Sequence, residues 1–282
     1  MLSAEAAAYH QAESGYKAKS DPNQSTRTVL LKDVTEKGID ATIGKNADAV
    51  LAIGTPAATY LHAYLALPTP LIYCMVAMPS AAGLTDGRAA FGVTTRIPVQ
   101  AQFELIAQAL PNARVLGMLY HSDTTEGQQS LQMVRQTLPK DWQLQAVAVD
   151  KFDSIAAAID ELANRHVDVI WTTVETGIYD AATIRSLLLS ELRTNSPVFG
   201  FSPGFVRAGA LVGVGIDPTA QGAQAAALTA RVLANPADKS VTQVQAPQSF
   251  QIAVNLIVAD KIGIHLPKDL IRRAAYTFEG DN

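Results

Sequence analysis

The sequence predicts an α/β fold in which parallel sheets are flanked by helices. Three observations lead to this class: short apolar runs rich in Val, Ile and Leu, little polar–apolar alternation within them, and helical patterns between successive runs. Strands that are covered on both faces have this continuous apolar character, whereas strands with one solvated face alternate. Strand, helix and strand in repeated succession predict a doubly wound architecture.

Each predicted element is a short run bounded by polar or turn-forming residues. The predicted strands are Thr28–Leu31, Ala49–Ile53, Pro70–Val76, Arg114–Tyr120, Leu144–Val149, Val167–Thr173, Pro197–Phe201 and Leu211–Ile216. The predicted helices are Ala4–Lys19, Pro56–Leu65, Val99–Leu110, Gly127–Leu138, Ser154–His166, Tyr179–Leu192 and Thr219–Leu233. Start signals support several helices, since Thr55 precedes a proline at the first helical position.

The length predicts two lobes. A chain of 282 residues corresponds to about two domains of roughly 100–150 residues each. The segment Gly92–Pro98 is a predicted Thr-rich linker between two sets of strands and helices. The tail adds a strand (Phe250–Val254), a short helix (Leu256–Ile262) and a last strand (Tyr276–Phe278), as in a chain that returns to a completed lobe.

Composition excludes some functions and leaves others open. Charged residues make up 17% of the chain and the net charge is −4, whereas nucleic-acid binding requires clustered Lys and Arg. The single cysteine, Cys74, is predicted to be a buried apolar residue. The sequence shows no stretch long enough to cross a bilayer and no signal peptide before the first helix. This pattern favours a cytoplasmic protein, or one with a processed or engineered N-terminus.

Several motifs together resemble one family. The matching stretches are Ala52–Ala58, Leu67–Leu71, Phe91–Thr94, Leu110–Tyr120, Val167–Ile170, Pro197–Gly200, Ala208–Leu211, Val254–Leu256 and Gly263–Pro267. They run in order over nearly the whole chain and resemble ABC-transporter substrate-binding proteins of the tryptophan/tyrosine-binding type.

The resemblance implies a type I periplasmic-binding-protein fold, in which two Rossmann-like lobes are joined by three crossovers and close on a ligand in the cleft. Residues 1–96 with 209–242 are the expected first lobe, and residues 97–208 with 243–282 the second. The implied partners are a small-molecule ligand and an ABC permease with its ATPase. The expected protein is a monomer without a membrane span, either periplasmic or lipid-anchored outside the cytoplasm.

The sequence departs from the family pattern at three places. The family has a secretion signal and an apolar first strand ahead of Leu2 and Ser3, and here only a stub of that strand remains. It often has an acidic residue where Met78 stands, and Pro-Thr-Asp-Asn where Thr173–Thr176 stand. The ligand pocket is therefore expected to differ from that of its amino-acid-binding relatives.

In the first lobe, the candidate ligand residues lie around the end of the strand Ala49–Ile53. Thr55, Pro56 and Ala57 open the next helix, where free backbone N–H groups suit a carboxylate or phosphate. An ordinary helix cap is the alternative. Ser3 and Tyr9 belong to the first strand–helix segment and are expected to face the same cleft, although Tyr9 fits a half-buried helix position equally well. Thr94 is a further candidate at a strand end.

In the second lobe, Thr173 and Glu175 follow the strand Val167–Thr173. A carboxylate at that strand end could pair with a ligand amine, and a solvated loop charge is the alternative. Ser202 and Phe205 follow the strand Pro197–Phe201 and are candidates for lining the cleft or for a structural role. Asp217, in the returning segment 209–242 of the first lobe, either faces the cleft or caps the helix that begins at Pro218.

One motif raises a hydrolase as the alternative to a binding protein. Gly200–Gly204 matches the G-x-S-x-G nucleophile elbow. The oxyanion hole of that site needs the backbone N–H of the residue after the serine, and here that residue is Pro203, which has none. Ser202 is therefore not expected to be catalytic.

No cofactor or metal site is predicted. Gly213-Val214-Gly215 begins like a dinucleotide fingerprint, but Pro218 stands where the third glycine belongs. The five histidines are scattered, with no pair at metal-ligand spacing. The predicted function is reversible binding of an amino acid or related carboxylate, aromatic ones included, and its delivery to an ABC permease. A ligand-sensing domain of a signalling system is the other binding role.

Overall fold

The computed structural model describes residues 1–39, 43, 47–66, 68–87, 89–173, 177–235 and 242–280. The chain divides into two compact units, each built from two separate stretches of sequence. Unit 1 consists of Met1–Ile97 with Ile216–Phe250, and unit 2 of Pro98–Gly215 with Gln251–Asn282.

Unit 1 contains a four-stranded parallel sheet in the order β1-β2-β3-β9. Its strands are β1 (Val50–Ile53), β2 (Leu71–Val76), β3 (Ala90–Thr94) and β9 (Val244–Gln245). Its helices are α1 (Ala7–Lys19), α2 (Leu31–Lys37), α3 (Thr55–Tyr64) and α9 (Pro218–Ala234). Beside β1, Leu2 forms parallel bridges to both Ile53 and Leu30.

Helices α1 and α9 of unit 1 lie against each other at two glycines. A Cβ atom on Gly222 would lie 1.8 Å from the carbonyl oxygen of Ala12, and one on Gly15 would lie 2.0 Å from that of Thr219. No other residue type fits such a close approach of two backbones. The two glycines therefore fix α1 over the sheet and hold the start of the chain in place.

Unit 2 contains a seven-stranded sheet in the order β11-β10-β8-β7-β6-β4-β5. Its strands are β4 (Val115–Tyr120), β5 (Gln143–Ala148), β6 (Val169–Trp171), β7 (Val198–Gly200), β8 (Val212–Ile216), β10 (Phe250–Asn255) and β11 (Tyr276–Phe278). Its helices are α4 (Val99–Ala109), α5 (Thr125–Thr137), α6 (Ile155–Asn164), α7 (Ala181–Thr194), α8 (Pro203–Ala208), α10 (Leu256–Lys261) and α11 (Lys268–Arg273). The central strands β6 and β7 are buried throughout, as their continuous apolar character predicts.

The α/β fold with parallel sheets is confirmed, and most predicted elements are present with ends shifted by a few residues. One predicted strand is wrong: in 28–31 only Leu30 forms a bridge, and Leu31 already begins α2. The predicted linker is also wrong at its start, since Ala90–Thr94 is strand β3. Gly92 allows that pairing because a Cβ there would lie 2.3 Å from the ring of Tyr73 on β2.

The unit boundaries differ from the lobe boundaries that the sequence suggests, 96, 209 and 243. The largest difference concerns β8, which the sequence assigns to the first lobe. It pairs with β7 through Phe199 with Val212 and Gly200 with Gly213, so it belongs to the sheet of unit 2. Unit 1 resumes at Ile216, where α9 follows.

Candidate ligand site

The carboxyl end of β1 in unit 1 brings the predicted ligand residues Ser3, Tyr9 and Thr55 together around Gly54. This glycine has φ +96°, and a Cβ on it would lie 2.6 Å from Ser3 Oγ and 2.8 Å from Tyr9 Oη. Both the backbone conformation and the space therefore require glycine. The Gly54 N–H donates to the Cys74 carbonyl at 2.9 Å, which joins the ends of β1 and β2.

The Ser3 hydroxyl lies at the N-terminus of α3. It donates to the Ile53 carbonyl at 2.9 Å and accepts from the Ala57 N–H at 3.0 Å. Ser3 therefore supplies the cap that Gly54, the residue before the helix, cannot supply. Thr55 and Pro56 of the same turn are exposed, while Ala57 is buried. Of the two exposed residues, only Thr55 has a polar side chain, and it lies at the positive end of the helix.

A buried glutamine joins the next two strand ends in unit 1. Gln221 of α9 is 2% exposed, donates through Nε2 to the Thr94 carbonyl at 2.9 Å and accepts through Oε1 from the Met75 N–H at 3.3 Å. Met75 has φ +60°, a rare conformation for a residue with a side chain, at a shift of register between β2 and β3. Such strained residues persist where the surroundings hold them, often beside ligand sites.

Two further predicted ligand residues of unit 1 have structural contacts. The Thr94 hydroxyl donates to the Ala77 carbonyl at 3.1 Å and accepts from the Arg96 N–H at 3.0 Å. Asp217 is the N-cap of α9, because its carboxylate accepts from the N–H groups of Thr219 and Ala220. These contacts explain the residue types without a ligand, and ligand contact by either residue stays a prediction.

In unit 2, Ser202 is the N-cap of α8. Its hydroxyl accepts from the Phe205 N–H at 3.1 Å, and Pro203 occupies the first turn. Pro203 packs closely on the chain, since a Cβ on Gly215 would lie 2.6 Å from the Pro203 Cδ. Phe205 is 3% exposed, and its ring packs edge-on against Phe201. The Ser202 hydroxyl is engaged in this cap, and Pro203, the next residue, has no backbone N–H to donate to an oxyanion.

The other candidates of unit 2 follow β6. Thr173 is half-buried, and Glu175 lies outside the described residues. The ring of Tyr179, which follows that stretch, lies 5.7 Å from the ring of Phe201. An aromatic pair therefore lies near the carboxyl ends of β6 and β7, in a region for which the sequence predicts only polar contacts and Phe205.

Among the described residues, one group has the composition of a metal site, although the sequence predicts none. The ligand atoms of His121, Asp123 and Asp150 all lie within 4.8 Å of one another. Asp150 is already engaged: its two oxygens accept from the Ser122 hydroxyl and N–H at 2.6 Å each, and Lys151 lies 3.0 Å away. These bonds, those from Ser122 foremost, hold the pKa of Asp150 well below its usual range. They account for the carboxylate without a metal ion.

Comparison with known proteins identifies the family. Residues 13–278 match the family model described as ABC transporter substrate binding protein. The chain belongs to this family. No helix of the described chain has the length and apolarity that spanning a bilayer would require. No curated protein sequence matches the chain significantly.

Solved structures show the type I periplasmic-binding-protein fold. A ligand-free, open substrate-binding protein with adhesive properties from Clostridium difficile has TM-score 0.75 at 18% identity, covering 99% of this chain and 98% of that one. An ABC domain from Streptococcus pneumonia in complex with L-Trp has TM-score 0.58 at 21% identity, covering 98% and 97%. A conserved domain protein from Vibrio cholerae has TM-score 0.58 at 22% identity, covering 98% and 97%. Substrate-binding proteins of this family act with ABC transporters outside the cytoplasm.

Sequence reasoning missed Gln221 and Met75. Gln221 lies one turn after the Asp217–Pro218 helix start, in a stretch of alanines, where a polar residue suggests an exposed face. Met75 lies in an unbroken apolar run, and nothing in that run signals a positive φ. Both roles depend on where α9 packs against the sheet, which a single sequence does not encode locally.

Proposed function

We propose that this protein binds a small organic carboxylate, an amino acid or a related acid, at the carboxyl edge of the unit 1 sheet. It then delivers this solute to an ABC permease. The observation that carries the proposal is the group of Ser3, Tyr9 and the exposed Thr55 around Gly54. Ligands of open α/β sheets bind beyond the carboxyl ends of strands.

The chemistry of this edge favours an anionic group. The N-terminus of α3 carries a partial positive charge. Pro56 has no N–H and the Ala57 N–H donates to Ser3, so backbone donation to a ligand would come from Thr55. Thr55 adds a solvent-accessible hydroxyl, and Ser3 Oγ lies 3.0 Å from the Ala57 N–H in the same turn. A carboxylate placed against Thr55 would receive hydrogen bonds at the positive end of the helix dipole.

Tyr9 supports an aromatic or otherwise flat side chain on the ligand. Its ring is half-buried, and its hydroxyl end lies against Gly54, next to the helix N-terminus. A phenol in this place can stack on a ring or donate a hydrogen bond. The relative from Streptococcus pneumonia that was crystallised with L-Trp has the same fold and supports an amino-acid ligand.

The test is binding of L-amino acids and other small carboxylates, measured by thermal shift and then by calorimetry. A ligand that binds only the folded protein raises its melting temperature. We expect Thr55→Asp to weaken binding of the best ligand at least about tenfold, which corresponds to about 1.4 kcal/mol. The reason is the repulsion between two carboxylates, whereas an acid in the first turn stabilises the helix itself.

Thr59→Asp is the matched control, because Thr59 is also exposed on α3 but lies one turn further along. We expect it to change the affinity much less than Thr55→Asp. Equal effects of both substitutions would show that general charge, not the helix N-terminus, matters. If no solute in a broad library of carboxylates stabilises the protein, the proposed function is contradicted.

The proposal includes a monomer that works in the periplasm or on a lipid anchor. Thr173, Glu175, Ser202, Phe205 and Asp217 remain predicted ligand contacts within it. Light scattering after gel filtration should give a mass close to 29.9 kDa. A stable dimer at micromolar concentration would contradict the monomer.

A further inference from the structure

The peptide group between Cys74 and Met75 is held from both sides at the carboxyl end of β2. On one side its carbonyl accepts from the Gly54 N–H at 2.9 Å. On the other side its N–H donates to Oε1 of the buried Gln221 at 3.3 Å. Because a peptide group is planar, these two bonds together fix the orientation of the whole group.

This peptide group lies in an irregular part of the sheet, where strand pairing alone does not hold it. β2 advances by three residues from Tyr73 to Val76, while β3 advances by two, from Gly92 to Thr94. The extra residue on β2 makes a bulge, and Met75 within it has φ +60°. A bulged residue is left unpaired in the ladder, so its N–H needs an acceptor from outside the two strands.

The side-chain amide of Gln221 supplies this acceptor and also binds the neighbouring strand end. Its Nε2 donates to the Thr94 carbonyl at 2.9 Å. A side-chain amide can do both at once because it has donors and an acceptor, as a peptide group does. Three hydrogen bonds thus run from the end of β3 through Gln221 and the bulge to Gly54 at the end of β1.

This series of hydrogen bonds ends at the junction proposed for the ligand. Gly54 has φ +96° and directly precedes Thr55, the first residue of α3. Glycine has more backbone freedom than any other residue, so its conformation depends on the bonds that its peptide groups make. The bond from the Gly54 N–H to the bulge therefore helps to set the direction of the Thr55 N–H and hydroxyl.

We propose that Gln221 is a positioning residue for ligand binding. With its side chain buried, it acts without touching the ligand: it fixes the bulge, and through Gly54 it holds Thr55 in the direction that a carboxylate requires. Contact groups that a further layer of hydrogen bonds holds in place bind more tightly, because less ordering is left for the binding step. This inference rests on the proposed function.

Hydrogen exchange in the ligand-free protein, read by NMR, tests the series of hydrogen bonds by itself. Gln221→Met keeps the approximate length of the side chain and removes its amide. We expect the Gly54 amide to exchange at least about tenfold faster in this variant, because its acceptor is no longer held. The Val50 amide donates to the Pro70 carbonyl at the other end of β1. It reports opening of the whole sheet and should keep its rate.

Titration calorimetry with L-tryptophan at pH 5 and pH 9 tests the role in binding. In Gln221→Glu the buried carboxyl should have a raised pKa, just as burial raises the pKa of Glu191 to about 8. The acid at pH 5 donates and accepts as the amide does, whereas the carboxylate at pH 9 has no donor for Thr94. We expect nearly wild-type affinity at pH 5 and at least about tenfold weaker binding at pH 9.

Each affinity is divided by that of the wild-type chain at the same pH. This ratio removes the titration of the ligand and of groups that both chains share, such as the Met1 amino group and His10. Cys74, whose carbonyl belongs to the bulge, stays neutral in this range, since burial raises the pKa of its thiol to about 12.

Gln224→Glu is the matched control on the same helix. Gln224 makes the same kind of contacts: its Nε2 donates to the Ala246 carbonyl and its Oε1 accepts from the Gln248 N–H, both at 3.0 Å. These bonds hold the chain after β9, not the bulge of β2. We therefore expect Gln224→Glu to leave the affinity for L-tryptophan within about twofold of wild type at both pH values.

Two results would overturn the inference. Equal exchange of the Gly54 amide in the wild-type chain and in Gln221→Met would show that the bulge does not hold Gly54. Equal affinities of Gln221→Glu and Gln224→Glu at pH 9 would show that this series of bonds has no special part in binding. If the wild-type chain does not bind L-tryptophan, that result counts against an aromatic amino acid as the ligand, and the exchange of Gly54 decides the inference.

Discussion

The two units bury ionisable groups of opposite sign. Unit 1 buries the ammonium of Met1 beside β1, with a pKa lowered to about 6. Unit 2 buries the carboxyl of Glu191 on α7, where burial raises the pKa to about 8, although the Val198 and Leu211 N–H groups oppose this rise. Desolvation is the main cause of both pKa shifts, because burial favours the neutral form of each group.

The two burials have different structural causes. Glu191 is fully buried, and its Oε1 accepts from the Val198 N–H at 2.9 Å, at the start of β7 in a complete seven-stranded sheet. Met1 is also buried, but it lies beside the four-stranded sheet of unit 1, where it lines a cavity. The carboxyl of unit 2 is thus buried beside a strand of its sheet, whereas the ammonium of unit 1 is buried beside a cavity.

The largest expected effect is on the pH dependence of unit 2. Between the unfolded value of about 4.3 and the folded value of about 8, the folded state binds a proton that the unfolded state lacks. Stability therefore falls as pH rises through this range, by up to about 1.4 kcal/mol per pH unit. Glu191→Gln should remove most of this slope while keeping the bond to the Val198 N–H.

Tryptophan fluorescence during urea unfolding measures this slope, because Trp142 and Trp171 both lie in unit 2. Glu104→Gln removes an exposed carboxylate from α4 of the same unit and should leave most of the slope in place. A wild-type curve that stays flat from pH 5 to pH 6, below the range in which the Met1 amino group acts, would show that Glu191 is ionised in the folded protein.

The sequence is informative where one local pattern decides the structure. The apolar runs at β4, β7 and β8 predict buried strands because little else tolerates such runs. Thr28–Leu31 looks the same, but a strand needs partners along its length, and only Leu30 meets Leu2.

At the site, Gly54, Thr55 and Pro56 form a recognisable strand-to-helix junction, so their position was predictable. Gln221 and Met75 meet only through the tertiary packing of α9 on β2, and Glu191 is buried only because α7 packs over β7. A polar residue on a helix gives no local sign of such burial. Long-range packing therefore decides which polar residues become buried and form hydrogen bonds in the interior.

The next effect in size has the opposite sign and concerns unit 1. Between pH 6 and 8 the unfolded amino terminus, whose ordinary pKa is 8.0, binds a proton that the folded one has released. Stability should therefore rise with pH across this window, by about 2 kcal/mol in total. Acetylation of the Met1 amino group should abolish the rise, because the resulting amide still donates to Leu51 but does not titrate.

Hydrogen exchange at the Ile53 amide follows unit 1, since this N–H donates to the Met1 carbonyl. Its protection should increase from pH 6 to pH 8, after correction for intrinsic exchange, in the free chain but not in the acetylated one. The same trend in both chains would place its origin in another group, such as His10, which pairs with Glu5 and Glu13.

The smallest expected effect distinguishes a cap from a ligand contact within unit 2. Ser202 and Ser154 are both N-caps, accepting from the N–H groups of Phe205 and Ala157 at 3.1 and 3.2 Å. Substituting either with alanine should cost about 1 kcal/mol of stability. Ser202 lies two residues after the end of β7, whereas a turn separates Ser154 from β5. Only Ser202→Ala should therefore also weaken solute binding, which titration calorimetry measures. Equal affinities in the two variants would make Ser202 a cap alone and confine the measured ligand contacts to other residues.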